Sequence, residues 1–256
     1  MVVIIPARLA SIRLPDKPLL DIGGAPMVVR TAQQAARSGA SMVAVATDDP
    51  RIEQAVQAHG FQAILTGRHH PTGTDRLAEA ARLLDLSPDT IVVNVQGDEP
   101  LVPPAIIDTV AQTLHQFPQA DIATCACPIA SASQLFDANV VKVVCRQGDV
   151  ALYFSRAPIP WARDALADGR QTLAPDLPAL RHIGLYAYRN RFLQAFPSLP
   201  VGPLEKFESL EQLRALENGY TIAVARIDRP PAPGVDTLAD LEKVRTIWAR
   251  KPMRTR

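Results

Sequence analysis

Four short apolar runs set the frame for this chain: Val2–Ile5, Met42–Ala46, Gln62–Leu65 and Ile91–Val95. Runs of this kind, bounded by turn residues such as Pro6, read as strands buried on both faces, which is the habit of a parallel sheet. Helical patterns lie between them, over roughly Met27–Arg37, Arg51–His59 and Arg76–Leu84. Strand and helix in regular alternation mean βαβ units and a doubly wound, mostly parallel α/β sheet. No internal repeat and no linker divides the chain, so residues 1–256 are expected to form a single domain.

After about Ile106 the alternation loosens. Asp121–Cys127, Val140–Cys145, Ala151–Phe154, Ile183–Tyr188 and Tyr220–Ala225 read as further strands, and Leu204–Leu216 as a helix with Leu204, Phe207, Leu210, Leu213 and Leu216 three apart. A last helix starts near Leu238, where Thr237 followed by Asp240 is an N-cap signature. In a doubly wound sheet the ligand lies beyond the carboxyl ends of the strands. The loop after the first strand, the loop after Leu65 and the turn after Val95 should therefore approach one another.

Composition removes several functions. A formal net charge of +1 gives no electrostatic footprint for a nucleic acid. Three cysteines, Cys125, Cys127 and Cys145, do not make a disulfide framework and suit a reducing compartment. The N-terminal apolar run is too short for a signal peptide and no run approaches a membrane span, so a cytoplasmic protein without membrane insertion is expected.

Three segments carry candidate chemistry. The loop after the first strand places Arg8, Arg13 and Lys17 at a buried strand end, with Asp16 the one acid among them. It is not a Walker A loop. Three cations there either form a solvated basic loop or neutralise a polyphosphate. The turn Gln96-Gly97-Asp98-Glu99-Pro100 delivers two adjacent acids at the end of Ile91–Val95. Acids so placed must be exposed, paired or bound to a cation, and Mg²⁺ takes one or two carboxylates plus phosphate oxygens; the alternative is an acidic turn whose Asp98 caps the next helix. Asp236, just before the last helix, reads first as a cap or dipole residue. Thr72-Gly73-Thr74-Asp75-Arg76 opens a helix whose N–H groups either meet a ligand or are simply capped. Glu205, Glu208, Glu211 and Gln212 suit the solvated side of their helix, and His182 and Tyr186 say little alone.

Longer stretches say more: Ile4-Ile5-Pro6-Ala7-Arg8, Arg13-Leu14-Pro15-Asp16-Lys17-Pro18-Leu19, Ala46-Thr47-Asp48, Gly73-Thr74-Asp75-Arg76-Leu77-Ala78-Glu79, Val93-Asn94-Val95-Gln96-Gly97-Asp98-Glu99-Pro100, Ala151-Leu152-Tyr153-Phe154-Ser155-Arg156-Ala157, Arg181-His182-Ile183-Gly184, Leu210-Glu211-Gln212-Leu213-Arg214 and Gly234-Val235-Asp236-Thr237. On these the chain resembles, along essentially its whole length, the 3-deoxy-manno-octulosonate cytidylyltransferase (CMP-Kdo synthetase) family. Two departures are small: Ile12 sits where a small hydroxyl residue is usual, and Asp16 where glycine is common.

The resemblance implies a Rossmann-like nucleotidyltransferase fold, with sugar-binding and dimerisation through a smaller mixed-strand subregion at about 130–215. It implies transfer of CMP from CTP to the anomeric hydroxyl of Kdo, with release of pyrophosphate, for lipopolysaccharide assembly. Ala7, Arg8, Arg13, Lys17 and Asp98 would hold the nucleotide, with Thr72, Gly73 and Arg76 near the cytosine. Asp98 and Asp236 would hold Mg²⁺ and, with Arg8 and Lys17, form the catalytic set. Gln96, Arg156, His182, Tyr186, Glu211 and Gln212 would contact the sugar acid, with Arg156 and His182 as partners of its carboxylate. CTP and Kdo are the implied substrates and a homodimer the implied assembly. A cytidylyltransferase for 8-amino-Kdo or another sugar acid, and a non-catalytic nucleotide-binding protein on the same fold, are the alternatives.

Overall fold

The computed structural model describes residues 1–9, 14–167 and 173–250. In chain order they form β1 (Val2–Ala7), α1 (Met27–Ala35), β2 (Met42–Thr47), α2 (Pro50–Ala58), β3 (Gln62–Leu65), α3 (Gly73–Leu83), β4 (Ile91–Asn94) and α4 (Pro104–Gln116). Then come β5 (Ile122–Pro128), α5 (Ala132–Phe136), β6 (Lys142–Arg146), β7 (Val150–Ser155), β8 (Leu180–Arg189) and α6 (Asn190–Ala195). The remainder is α7 (Pro203–Glu208), α8 (Gln212–Glu217), β9 (Ile222–Arg226) and α9 (Leu238–Arg250). The first three helices and four strands lie where the apolar runs put them, within one to three residues. The helix α4 lies where the sequence reading saw only a loss of regularity. The chain packs as two compact units, Met1–Asp108 with Arg189–Pro197 and Pro231–Arg256, and Thr109–Tyr188 with Ser198–Pro230.

In the first unit β1 pairs in parallel with β2 and with β4, and β2 with β3, so the strands run β3-β2-β1-β4. The crossovers change direction between β1 and β4, and it is at such a reversal that strand-end loops part to admit a ligand. Val3, Ile4, Ile5, Val92 and Val93 are fully buried, which is why these strands read as unbroken apolar runs. A second cluster joins Leu14, Ile22 and Met27 to Val235, Leu241 and Val244. It fastens α9 beneath the loop that follows β1. Arg245 Nε donates to Asp21 O at 2.9 Å and the Arg30 guanidinium lies 4.5 Å over the Trp248 ring, closing the same seam.

The second unit is mixed. β5 pairs antiparallel with β8 and parallel with β9, β7 pairs antiparallel with β9 and with β6, and β6 also pairs with the first residues of β8. A β-bulge interrupts β5 against β8, where Thr124 lies opposite Tyr186 but Cys125 opposite Ile183.

One predicted element is corrected. Residues 204–216 are not one helix but α7 and α8, broken at Ser209, which takes the left-handed conformation with φ 52°. Residues three apart fall about 60° behind at every step of an α-helix, so a stripe spaced strictly by three winds off any one face. The exposures show it: Leu210 and Leu213 are buried, while Phe207 is 91% exposed.

Candidate active site

The first unit holds a cleft of about 470 Å³, lined by Pro6–Arg8, Lys17, His70, Thr72, Gly73, Arg76, Gln96–Asp98 and Asp236, among others. The three strand-end segments expected to approach one another thus meet there, and the last helix adds a fourth. Close approach of β1 and the turn after β4 requires Gly97, since a Cβ there would lie 3.0 Å from Pro6 O. Thr31 Oγ1 donates to Gly97 O at 3.2 Å and steadies the turn from α1. Arg13 lies outside the described residues.

Asp98, Asp236 and Lys17 form the centre. Lys17 Nζ donates to Asp98 Oδ2 at 2.6 Å and to Asp236 Oδ1 at 3.1 Å. Burial alone would lower the Lys17 pKa, but hydrogen bonds and charge from Asp98, then Asp236, outweigh it and hold the amine above the ordinary lysine value. Neither acid is a helix cap. The cap before α9 is the reciprocal pair Thr237 and Asp240: Thr237 N donates to Asp240 Oδ2 at 3.0 Å and Asp240 N to Thr237 Oγ1 at 3.2 Å. Asp236 is placed by the backbone before it. Val235 N donates to Asp98 O at 2.9 Å, and a Cβ on Gly234 would lie 3.3 Å from that oxygen. Asp16 has φ 51°, a left-handed conformation that aspartate tolerates better than most residues. Its backbone starts the short 3₁₀ turn Lys17–Leu19.

Glu99 differs from its neighbour. It is half-buried, and burial, with the Asp98 charge second, pushes its carboxyl up to about 8. At neutral pH it is mostly protonated, so of the two adjacent acids Asp98 carries the charge toward Lys17.

The far wall is built from α3. Thr72 and Asp75 form a capping box, with Asp75 N donating to Thr72 Oγ1 at 3.2 Å and Thr72 N to Asp75 Oδ2 at 3.2 Å. The bland reading of Thr72 is therefore correct for its hydroxyl, although the residue still lines the cleft. Arg76 is 4% exposed and its guanidinium pins the ends of β2 and β3, donating to Asp48 Oδ2 at 2.8 Å and Thr66 Oγ1 at 2.5 Å. His70 Nε2 meets Glu79 Oε2, which also accepts from Gly67 N at 2.8 Å. Gln96 Nε2 donates to Asn94 Oδ1 at 3.3 Å beside the cleft.

The other expected sugar residues belong to the second unit. The Arg156 guanidinium is held by carbonyl oxygens, with Nε donating to Glu208 O at 2.7 Å and one terminal nitrogen to Ala138 O at 2.9 Å. The Glu208 carboxylate is not solvated, as its place on a helix suggested. It accepts from Ser155 Oγ at 2.5 Å, Tyr153 Oη at 3.3 Å and Arg156 N at 2.9 Å, and although burial raises its pKa these donors hold it below the ordinary carboxylate value. Glu205 is likewise engaged, in a two-pronged pair with buried Arg214. Lys142, fully buried, donates to the carbonyls of Asp137, Val140 and Arg156. Burial lowers its pKa, which the Asp137 and Glu208 charges only partly oppose.

His182 lies edge-on to Phe154, with centroids 4.9 Å apart, and beside Tyr186. Burial drives its pKa down to about 3, so the ring is neutral at physiological pH. Tyr186 stacks on Tyr188; burial first, then the charges of Tyr188 and Glu211, raise its pKa well above the ordinary value, so it stays a neutral phenol. Gln212 is buried, and its Nε2 has no hydrogen-bond partner.

Sequence reasoning gave no role to Lys142, Glu79 and Thr124, and read Glu208 only as part of the solvated side of its helix. For Glu208 a signal was present, since Tyr153 and Ser155 alternate on one strand face and present two hydroxyls to one acceptor. Lys142 gave none: a lysine in an apolar strand is ordinarily read as exposed.

The comparisons with known proteins agree on family and fold. Residues 2–223 match the family described as Cytidylyltransferase. A solved structure of CMP:2-keto-3-deoxy-manno-octonic acid synthetase complexed with CTP is 44% identical, covers 97% of this chain and 98% of its own, and superposes with a TM-score of 0.87. A cytidylyltransferase from Leptospira borgpetersenii serovar Hardjo-bovis (strain JB197), 16% identical over 96% of this chain and 85% of its own with a TM-score of 0.61, shares the fold.

Proposed function

We propose that this chain, which belongs to the cytidylyltransferase family, transfers CMP from CTP to the anomeric hydroxyl of 3-deoxy-D-manno-octulosonate, giving CMP-Kdo and pyrophosphate for lipopolysaccharide synthesis. The observation that carries the reading is the convergence of Asp98 and Asp236 on one cationic nitrogen at the mouth of a strand-end cleft.

The pair fits Mg²⁺. Two carboxylate oxygens already meet one cation, and no group of three or more His, Cys, Asp or Glu side chains that could cage a metal occurs among the described residues. Mg²⁺ bound by two carboxylates fills its remaining positions with phosphate oxygens and water, which suits a nucleotide substrate. When bound, the ion neutralises charge at the α-phosphate and lowers the pKa of the incoming hydroxyl. The protein's share is positioning. Arg8, Arg13 and Lys17 hold the triphosphate, with Lys17 turning from the carboxylates to the phosphates, and Ala7 carries the backbone beside them. Thr72, Gly73 and Arg76 form the wall facing cytosine. The anomeric oxygen bonds to the α-phosphorus as the α-phosphorus bond to the bridging oxygen of the leaving pyrophosphate breaks in line, the hydroxyl proton passes to solvent, and no protein nucleophile is needed.

Gln96, Arg156, His182, Tyr186, Glu211 and Gln212 read the sugar acid. Arg156 suits its carboxylate, because a guanidinium held by neutral carbonyls keeps its charge for a ligand. The orphaned Gln212 amide gains an acceptor from the sugar. The chain works as a homodimer through its second half; Val201, Leu204 and Phe207 leave apolar surface exposed there. No described helix is long and apolar enough to cross a membrane. Use of CTP as a substrate suits a cytoplasmic enzyme.

The test is pyrophosphate release with CTP and Mg²⁺, scanned over Kdo, 8-amino-Kdo and a sialic acid. Release with Kdo that requires all three components supports the reading. Silence on Kdo with turnover of another acid reassigns the substrate, and CTP binding without turnover on any acid leaves a nucleotide-binding protein.

A further inference from the structure

The bulge between β5 and β8 places one hydroxyl at a crowded point. Thr124 Oγ1 lies 2.9 Å from Leu185 O, 3.1 Å from Ile183 O and 3.0 Å from His182 Nε2. A threonine hydroxyl has one hydrogen, and carbonyl oxygens can only accept. If that hydrogen pointed to His182, both carbonyl oxygens would face bare lone pairs of Oγ1 at hydrogen-bond distance, and oxygen lone pairs repel at that range. The hydrogen therefore goes to the carbonyls, and the contact with His182 must be an Nε2–H donating to Thr124 Oγ1. A neutral imidazole carries one proton, which leaves Nδ1 a bare acceptor.

We infer that Thr124 is a positioning residue that fixes His182 as its Nε2–H tautomer, so that Nδ1 reads a hydroxyl of the sugar acid and not its carboxylate. This rests on the sugar acid being the acceptor substrate. It divides the labour chemically. An atom with only a lone pair repels a carboxylate and accepts from a hydroxyl, so the carboxylate falls to Arg156 and the polyol to His182. Turning of the ring is opposed by Phe154, which packs edge-on to it, and by Tyr186 beside it.

The test uses the full chain with Thr124→Val and Thr124→Ser. Nitrogen-15 spectra of the His182 ring, taken without substrate, report the tautomer directly. Wild type and Thr124→Ser should show protonated Nε2 and bare Nδ1, and Thr124→Val a mixture of tautomers. Thr124→Val should raise KM for the sugar acid about tenfold, as for loss of one buried hydrogen bond, with KM for CTP within about twofold; the serine should restore both. A protonated Nδ1 in wild type overturns the inference. So does an unchanged sugar KM in the valine variant, or a serine variant that keeps the tautomer yet fails as badly as valine. Should the valine variant not fold, the spectra of wild type and serine still decide. Should wild type turn over no sugar acid, the functional reading falls while the tautomer stands or falls on its spectrum.

Discussion

In the first unit Lys17, Asp98 and Asp236 meet as side chains alone, with side-chain exposures of 12%, 35% and 50%. In the second, Arg156 and Lys142 are gripped by backbone carbonyls, and Glu208 is enclosed by two hydroxyls and an amide. The first arrangement holds charges that another ion can replace, since an ion pair open to water is worth little and exchanges partners readily. The second holds charges whose partners are part of the fold, so moving one of them disturbs a buried network. One region is built to trade partners and the other to keep them, as the proposed phosphate-and-metal site and the proposed sugar-recognition site respectively require.

Substitutions test that contrast, beginning with the largest effect. Asp98→Asn should cut kcat on the order of 10³-fold, about 4 kcal/mol of transition-state stabilisation, while CTP still binds. Turnover within tenfold of wild type would mean that the carboxylate pair is not the reactive centre. Arg156→Lys should raise KM for the sugar acid about thirtyfold, or ~2 kcal/mol, because an ammonium cannot copy the planar fork that the carbonyls orient. An unchanged sugar KM assigns Arg156 to folding alone. Gly234→Ala, which crowds Asp98 O, should lower kcat about tenfold and raise the Mg²⁺ concentration needed for half-maximal rate. A normal metal requirement would separate the backbone seam from the placement of Asp236.

The last two read stability. Glu208→Gln should cost about 1 kcal/mol at pH 7, seen as a lower Tm. The Glu208 pKa is depressed in the folded state, so its stabilisation is present above the ordinary carboxylate range and is lost as pH falls through the folded value. The deficit of the variant should shrink in acid, and a deficit constant with pH would show that its charge does not matter. Glu99 has the opposite sign. With its folded pKa at about 8, wild type loses stability as pH rises from the ordinary glutamate value toward 8. Glu99→Gln should change kcat least of the five, and its Tm advantage over wild type should be largest above pH 8 and vanish near pH 4. A kcat loss equal to that of Asp98→Asn would make Glu99 a ligand after all.

The same contrast explains what could be read from sequence. The first unit is written in local signals: unbroken apolar strands, strand-end loops and a Gly-Asp turn, so the cleft and its acids were legible. Asp236 was legible only through the family resemblance and read by itself as a cap, because its place depends on Val235 N meeting Asp98 O, a contact its own neighbours in the chain do not encode. In the second unit the informative contacts join β7 to α7 and β5 to β8, residues far apart in sequence. Glu208 on a helix and Thr124 in an apolar strand look ordinary until those partners are present. The break at Ser209 was readable in principle from the spacing by three, which no straight helix can keep on one face.

The ion pairs of the first unit also bear on time. Lys17 is joined to a partner 81 positions away and to another 219 positions away. Contacts that close such long loops are the slow ones to form, because chain entropy must be lost before they contribute anything. In refolding from denaturant, strand and helix signals should therefore recover before the cleft can bind CTP together with its cation. The gap between the two recoveries measures how late the active centre comes into being.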